Sequence, residues 1–136
     1  MALTDKTLEQ WLAEDGWPCE RLDETTWRSG FQAPGTDKFR FFLRLTKDWL
    51  YLTIIPFVTL PEDQLAELGL LRRLLVLNRE ITLAKFALEK RDVVLTVELS
   101  VQELAQSQLK DGLDALSFYA TSHHAELTKL ASRVVS

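Results

Sequence analysis

Lys38-Phe39-Arg40-Phe41-Phe42-Leu43-Arg44-Leu45-Thr46-Lys47-Asp48-Trp49-Leu50-Tyr51-Leu52-Thr53-Ile54-Ile55-Pro56-Phe57 is the stretch on which the fold turns. Two runs rich in aromatic and aliphatic residues flank Lys47-Asp48, and such a pair reads as a β-hairpin. With Lys47-Asp48 as the turn, Leu45 faces Leu50, Leu43 faces Leu52 and Phe41 faces Ile54. These pairs form one apolar face. The other face sets Arg40, Phe42 and Arg44 opposite Ile55, Thr53 and Tyr51. It mixes guanidinium groups with aromatic and aliphatic side chains, which a merely solvated face does not need.

A second hairpin, Lys85 to Leu99, supplies the contrast. Its apolar and polar residues alternate cleanly. With Arg91-Asp92 at the turn, Leu88 meets Leu95, Phe86 meets Val97 and Ala84 meets Leu99. The outer positions are Lys85, Glu89, Thr96 and Glu98, with Lys85 opposite Glu98. One hairpin is polar outside and the other is adhesive outside, which points to a binding surface rather than to chemistry.

Working outward, Thr4 caps a helix over about Asp5 to Asp15, with Leu3 and Leu8 placed as a hydrophobic staple and Gly16 as the stop. Leu8, Trp11 and Leu12 share a face. Short extended segments follow around Cys19–Leu22 and Thr26–Phe31, and Gln32 to Asp37 reads as a loop. A second helix starts near Pro61 and runs to about Leu77, with Glu62 and Asp63 at its positive end. Ser100-Val101-Gln102-Glu103 has the form of a capping box and starts a third helix, with a break near Ser107. Leu109, Leu113, Leu116, Ala120, His123, Leu127 and Leu130 then step by four and three, a helical stripe. The order is α-β-β-β-β-α-β-β-α, an α+β fold with flanking helices on an antiparallel sheet, and residues 1–136 read as one domain.

Composition narrows the functional classes. The chain has 136 residues, 46% of them hydrophobic, enough for a core. Sixteen Lys and Arg against twenty Asp and Glu leave a net charge of −4, which argues against general affinity for phosphate backbones or anionic membranes. No apolar run approaches about 18 residues, so no spanning helix is read, and Met1 to Glu20 lacks the pattern of a secretory leader. The lone cysteine, Cys19, suits a reducing compartment, and a cytoplasmic location is the expectation.

Candidate chemical sites have plainer readings. His123 and His124 are adjacent, point about 100° apart on a helix and lack a closed ligand set, so no metal is expected. Cys19 has no basic cluster beside it in sequence. The carboxylate pairs Glu62-Asp63, Glu89 with Asp92, and Asp111 with Asp114 fit a helix start, a turn and a solvated face. No catalytic residue and no cofactor emerge. Lys38 to Arg44 interleaves basic and aromatic residues, as single-strand RNA platforms do, yet Phe39 and Phe41 point inward and the chain is acidic. The second helix carries leucines on two sides. Leu68, Leu71 and Leu75 form one row, and Leu70, Leu74 and Leu77 centre about 130° further round.

Leu77-Asn78-Arg79-Glu80-Ile81-Thr82-Leu83-Ala84-Lys85-Phe86-Ala87-Leu88 closes a helix with a Leu-Asn pair and leads through a short connection into the alternating hairpin. This arrangement resembles the YbjN family of bacterial proteins, as do Val93 to Glu98 and the Leu109–Leu116 stretch. The likeness covers about Pro61 to Glu126, and the first half by element order. The resemblance implies a fold similar to type III secretion chaperones, small acidic α+β homodimers that bind extended segments of other proteins. It implies a link to sensory or stress regulation and no enzymatic activity. One position carries over, Asn78, with the implied task of closing the helix in a left-handed conformation.

The resulting expectation is a non-enzymatic, cytoplasmic, protein-binding or chaperone-like regulatory protein. Arg40, Phe42, Arg44, Tyr51 and Ile55 would contact a protein or peptide partner, and Leu70, Leu74 and Leu77 would form a homodimer interface. The alternative is a domain that senses a small molecule between sheet and helix, with Trp11, Trp17, Trp27 and Trp49 around the pocket.

Overall fold

Alternating strands assemble into one six-stranded sheet in the computed structural model of the chain, which describes residues 2–33 and 38–134. The elements are α1 (Asp5–Glu14), β1 (Glu20–Arg21), β2 (Thr26–Gln32), β3 (Lys38–Leu45), β4 (Trp49–Thr59), α2 (Gln64–Glu80), β5 (Ala84–Glu89), β6 (Asp92–Ser100) and α3 (Gln106–Ala131). This is the expected order. Spatially the strands run β1-β2-β3-β4-β6-β5, every neighbouring pair antiparallel.

Strand register explains the core. Trp27, Leu43, Leu52, Val97 and Ala84 stand in one row across five strands, and all are buried. The stripe on α3 lies over this face, with Leu109, Leu113, Leu116, Ala120 and Leu127 fully buried. Gly112 allows the close approach: a Cβ there would meet Leu99, Val97 and Leu52 at 3.2–3.4 Å. Helix α1 adds Leu8 and Leu12 to the same cluster. Its Thr4 Oγ1 accepts from the Thr7 N–H at 3.2 Å, and Gly16 stops it with φ +79°. Helix α2 packs on β5 and α3 and adds Leu70, Leu74 and Leu77.

Several local expectations are corrected. Helix α2 begins after Asp63, whose carboxylate accepts from the Ala66 N–H at 3.2 Å, and it continues to Glu80. Pro61 instead gives its carbonyl to Arg91 at 2.8 Å. Ser100 to Glu103 does not start a helix. Val101 is bonded on both sides, its N–H to Asp48 at 3.1 Å and its carbonyl to the Leu3 N–H at 3.0 Å, and Glu103 is left-handed at φ 56°. The helix starts at Gln106, where Gln108 Oε1 accepts from the Ala105 N–H at 2.8 Å. Gln32 continues β2, and residues 34–37 of the expected loop lie outside the described residues.

The second hairpin turns at Lys90-Arg91, not Arg91-Asp92. Its pairs are Ala84↔Val97, Phe86↔Leu95 and Leu88↔Val93. Lys90 adopts φ 56°, which tightens the turn, and the Leu60 N–H bonds the Arg91 carbonyl at 2.8 Å. An even shift leaves every side chain on its expected face.

Asn78 does not close its helix. The α2 cap is Ile81, at φ −84°. Asn78 reaches the edge strand instead: Nδ2 donates to the Phe86 carbonyl at 2.9 Å, and Oδ1 accepts from the Phe86 N–H at 2.7 Å. The amide copies a neighbouring peptide and covers part of an open sheet edge.

Candidate protein-binding face

The helices pack on one face of the sheet, and the register fixes what stands on the other. Arg28, Phe42, Thr53, Thr96 and Lys85 form one row across it; Thr26, Arg44, Tyr51 and Glu98 form the next. The hairpin pairs Phe42↔Thr53 and Arg44↔Tyr51 as expected from the sequence. Phe42, Tyr51 and Ile55 are half-buried, and Arg40 and Arg44 are exposed. Phe42, Arg44 and Tyr51 line a shallow hollow of about 300 Å³ with Thr26 and Thr53. The five expected contact residues therefore lie on one open surface.

Charge divides this surface. Toward β6 the side chains satisfy one another: Lys85 pairs with Glu98 at 2.8 Å, and the hydroxyls of Thr53 and Thr96 meet at 2.8 Å. Toward β2, Arg28 is paired with Glu20. Lys38, Arg40 and Arg44 alternate along β3 between them. Among the described residues no carboxylate is paired with any of these three.

Two expected pairs are absent. β3 and β4 are joined only from Phe42↔Thr53 to Leu45↔Leu50, so Phe41 does not pair with Ile54, nor Arg40 with Ile55. Beyond that point Lys38 to Phe41 follow β2, and Ile54 follows Leu95 of β6. Four steps of β4, Ile54 to Val58, span two of β6, a bulge that contains the cis Ile55-Pro56 bond. Pro56 has no N–H to give a ladder. The strands part there, and a hollow of about 310 Å³ opens between them, lined by Lys38, Arg40, Phe39, Ile55, Phe57 and His124, with Ile54 and Pro56. The proline in the sequence marks this place; the bulge has no further signal.

The leucines expected at a dimer interface belong to the chain's own core. Leu70, Leu74 and Leu77 are 0%, 6% and 1% exposed, whereas Leu65, Leu68, Leu75 and Val76 are 56%, 47%, 71% and 48% exposed. Two rows exist on α2 as read from the sequence, but with the opposite assignment. The row nearer β5 is drawn into the apolar cluster around Phe86, leaving Leu68 and Leu75 outside.

Both histidines pack against rings. His123 stacks on Tyr119 at 6.2 Å, and His124 stands edge-on to Phe39 and Phe57 at 5.0 and 5.1 Å. Among the described residues no three His, Cys, Asp or Glu gather as a metal site, and no helix is long and apolar enough to cross a membrane. Cys19 is exposed; partial desolvation and then nearby Glu9 push its thiol up, away from nucleophilic reactivity. The tryptophans do not gather round one pocket. Trp27 is fully buried, Trp49 is exposed beside the β3–β4 turn, and Trp17 packs edge-on to Phe31 and Phe41 at 6.3 and 5.6 Å.

Among curated proteins nothing matches this chain. Solved structures share its architecture. A chain of the heterodimeric ExoU-SpcU complex from the type III secretion system of Pseudomonas aeruginosa superposes with a TM-score of 0.63 at 19% identity, covering 92% of this chain and 98% of that one. A chain of the ExsC-ExsE complex gives 0.61 at 19% identity over 93% and 97%. A chain of the HopA1-SchA chaperone-effector complex gives 0.58 at 16% identity over 87% and 90%. The fold is thus α+β of the type III secretion chaperone kind. The sequence profile of the YbjN family, described as "Putative bacterial sensory transduction regulator", matches residues 4–117. That span holds the sheet, α1, α2 and the first half of α3, and the chain belongs to the YbjN family.

Proposed function

We propose that this protein is a non-enzymatic, chaperone-like regulator of the cytoplasm that holds a segment of another protein on the outer face of β3 and β4. The observation that carries the reading is the open surface of Arg40, Phe42, Arg44, Tyr51 and Ile55, uncovered by any described helix and with both arginines lacking an acidic partner among the described residues. Tyrosine and arginine are the residues in which interfaces concentrate their energy. A structural neighbour that is a chaperone-effector complex supports a protein partner. The exposed, free Cys19 suits a reducing compartment.

The same proposal includes a homodimer, now through the exposed row Leu65, Leu68, Leu75 and Val76 of α2 rather than through the buried one. Light scattering at micromolar concentration is expected to give twice the chain mass; a monomer mass removes the dimer.

The partner face is tested with Phe42→Ser combined with Tyr51→Ser. The double variant is expected to keep its thermal midpoint within a few degrees, because both side chains are only half-buried. A partner captured by the native protein and identified by mass spectrometry should be lost. A folded variant that still captures it excludes this face, and a variant that unfolds places both rings in the core.

A second reading is favoured by a separate observation. Trp17, Phe31 and Phe118 border a hollow of about 530 Å³ between β2 and α3. That size falls in the range of small-molecule sites, about 300–1,000 Å³. A small molecule retained in stoichiometric amount in native mass spectra would favour sensing over protein binding.

A further inference from the structure

We infer that the parting of β3 from β4 is the anchor pocket of the partner face, and that the segment it takes is acidic, with one apolar side chain set between carboxylates. The inference rests on the protein-binding reading and names the partner's chemistry. Arg40 pairs with Gly30 of β2 and with no residue of β4. Ile55, Pro56 and Phe57 pair with neither β3 nor β6. An interior gap in a sheet leaves main-chain groups without a ladder, the same opportunity an edge strand gives an extended peptide.

The gap is chemically two-layered. Its floor is Phe39, Phe57 and the half-buried His124 ring, which closes edge-on over both phenyls. Its rim is Lys38 and Arg40, both exposed and, among the described residues, neither paired with a carboxylate. A volume of about 310 Å³ is enough for a single large side chain. An apolar anchor in a desolvated pocket with charged groups around it is the usual form of an interface hot spot. Arg40 can take a carboxylate through two parallel N–H···O bonds, and Arg44, two strand positions past Phe42, extends the same cationic line. Alternate residues of an extended segment lie about 6.6–6.8 Å apart, so acidic positions at every second residue can follow β3. These cations stand close together on a chain whose net charge is −4, so the line is a local cationic stretch that attracts an acidic segment. Nucleic acid fits less well. Phe39 and Phe57 are buried and offer no open face for base stacking, and Glu20 and Glu98 flank the line.

The test is a selection of random dodecapeptides displayed on phage, run on the native protein and in parallel on Arg40→Glu. Enriched peptides should carry acidic residues on both sides of a leucine, isoleucine or phenylalanine. A synthetic copy of the strongest should bind the native protein at least tenfold more tightly than Arg40→Glu, weaken as salt is raised, and shift the amide resonances of Arg40, Ile55, Phe57 and His124. Lys6→Glu, on the exposed side of α1, should bind as the native protein does, and Lys38→Glu repeats the comparison if Arg40→Glu lowers the thermal midpoint. Enriched peptides without acidic residues, or binding indifferent to both charge reversals, overturn the inference and leave protein binding standing. Absence of any enriched peptide overturns both. An oligo-dT dodecamer that binds more tightly than the peptides, with the same dependence on Arg40, assigns the cationic line to nucleic acid and overturns the inference.

Discussion

The two hairpins lie side by side in one sheet and share α3 as cover, but they are closed to different degrees. β5 and β6 pair without interruption from the Lys90-Arg91 turn to Ala84↔Val97. Their outer charges meet as Lys85–Glu98, and Asn78 covers the open edge at Phe86. β3 and β4 pair over four positions and then part, with Lys38, Arg40 and Arg44 unmatched by any carboxylate among the described residues. Away from the turns, where Leu45 is half-buried and Leu88 exposed, the inner faces of both hairpins are buried, so folding does not require the difference. Where one hairpin satisfies its polar groups internally, the other leaves its cations open to solvent, and on the proposed function the sheet divides stability from recognition along its strand order.

The largest effect is expected where α2 backs the closed hairpin. Leu70→Asp buries an unpaired charge among apolar side chains at a site with no exposure. The cost is several kcal/mol, against a total stability of about 5–15 kcal/mol for an ordinary domain. Circular dichroism should show the cooperative melt lost or moved to much lower temperature. Leu75→Asp, on the exposed row, should melt within about 0.5 kcal/mol of the native protein and weaken only self-association. A folded, monomeric Leu70→Asp protein would mean that this row, and not the other, faces a second copy.

That reversal marks the limit of what the residues reveal before the structure. Element order, the inner face of both hairpins, the α3 stripe and the outer face of β3 are legible because each rests on a local period of two or about 3.6 residues. The choice between two leucine rows on α2 is not local. Both rows are apolar, and only the position of β5 and α3 decides which is covered. Turn register in the second hairpin fails for a similar reason: a left-handed Lys90 carries no sequence cue of the kind that glycine or asparagine gives. The Ser100-Val101-Gln102-Glu103 box misleads because Val101 is already bonded to Asp48 and Leu3, contacts that connect distant parts of the chain. The parting of β3 and β4 is half legible, since Pro56 is visible but the extra length of β4 against β6 is not.

Asn78 sharpens the comparison at the next level. Its amide gives both a donor and an acceptor to Phe86, so Asn78→Ala leaves a strand N–H and carbonyl without partners at the rim of the core. A cost of about 1–3 kcal/mol is expected in urea denaturation. Asn78→Asp, which keeps an acceptor for the N–H but sets a carboxylate against the Phe86 carbonyl, should recover none of it. Loss of this cover should also make β5 an open edge, and concentration-dependent association of Asn78→Ala would report it. If both variants are as stable as the native protein, the edge needs no cover, and the closed hairpin is closed by its register alone.

The smallest effect separates the two sets of outer charges. Lys85 is half-exposed in its pair with Glu98, and exposed pairs contribute about 0–1 kcal/mol, less as salt is added. Lys85→Ala should therefore shift stability by no more than about 0.5 kcal/mol and leave partner binding untouched. Arg44→Ala should shift stability as little, for a different reason: among the described residues it has no carboxylate to lose. Its consequence should fall on binding, where an arginine pairing with an acidic segment contributes to affinity and to the salt dependence of association. Thermal melts therefore cannot tell the two variants apart, and salt titrations of binding can. Equal salt slopes for Lys85→Ala and Arg44→Ala would show that the unmatched cations of β3 are merely solvated, and the contrast between the hairpins would then be one of geometry without recognition.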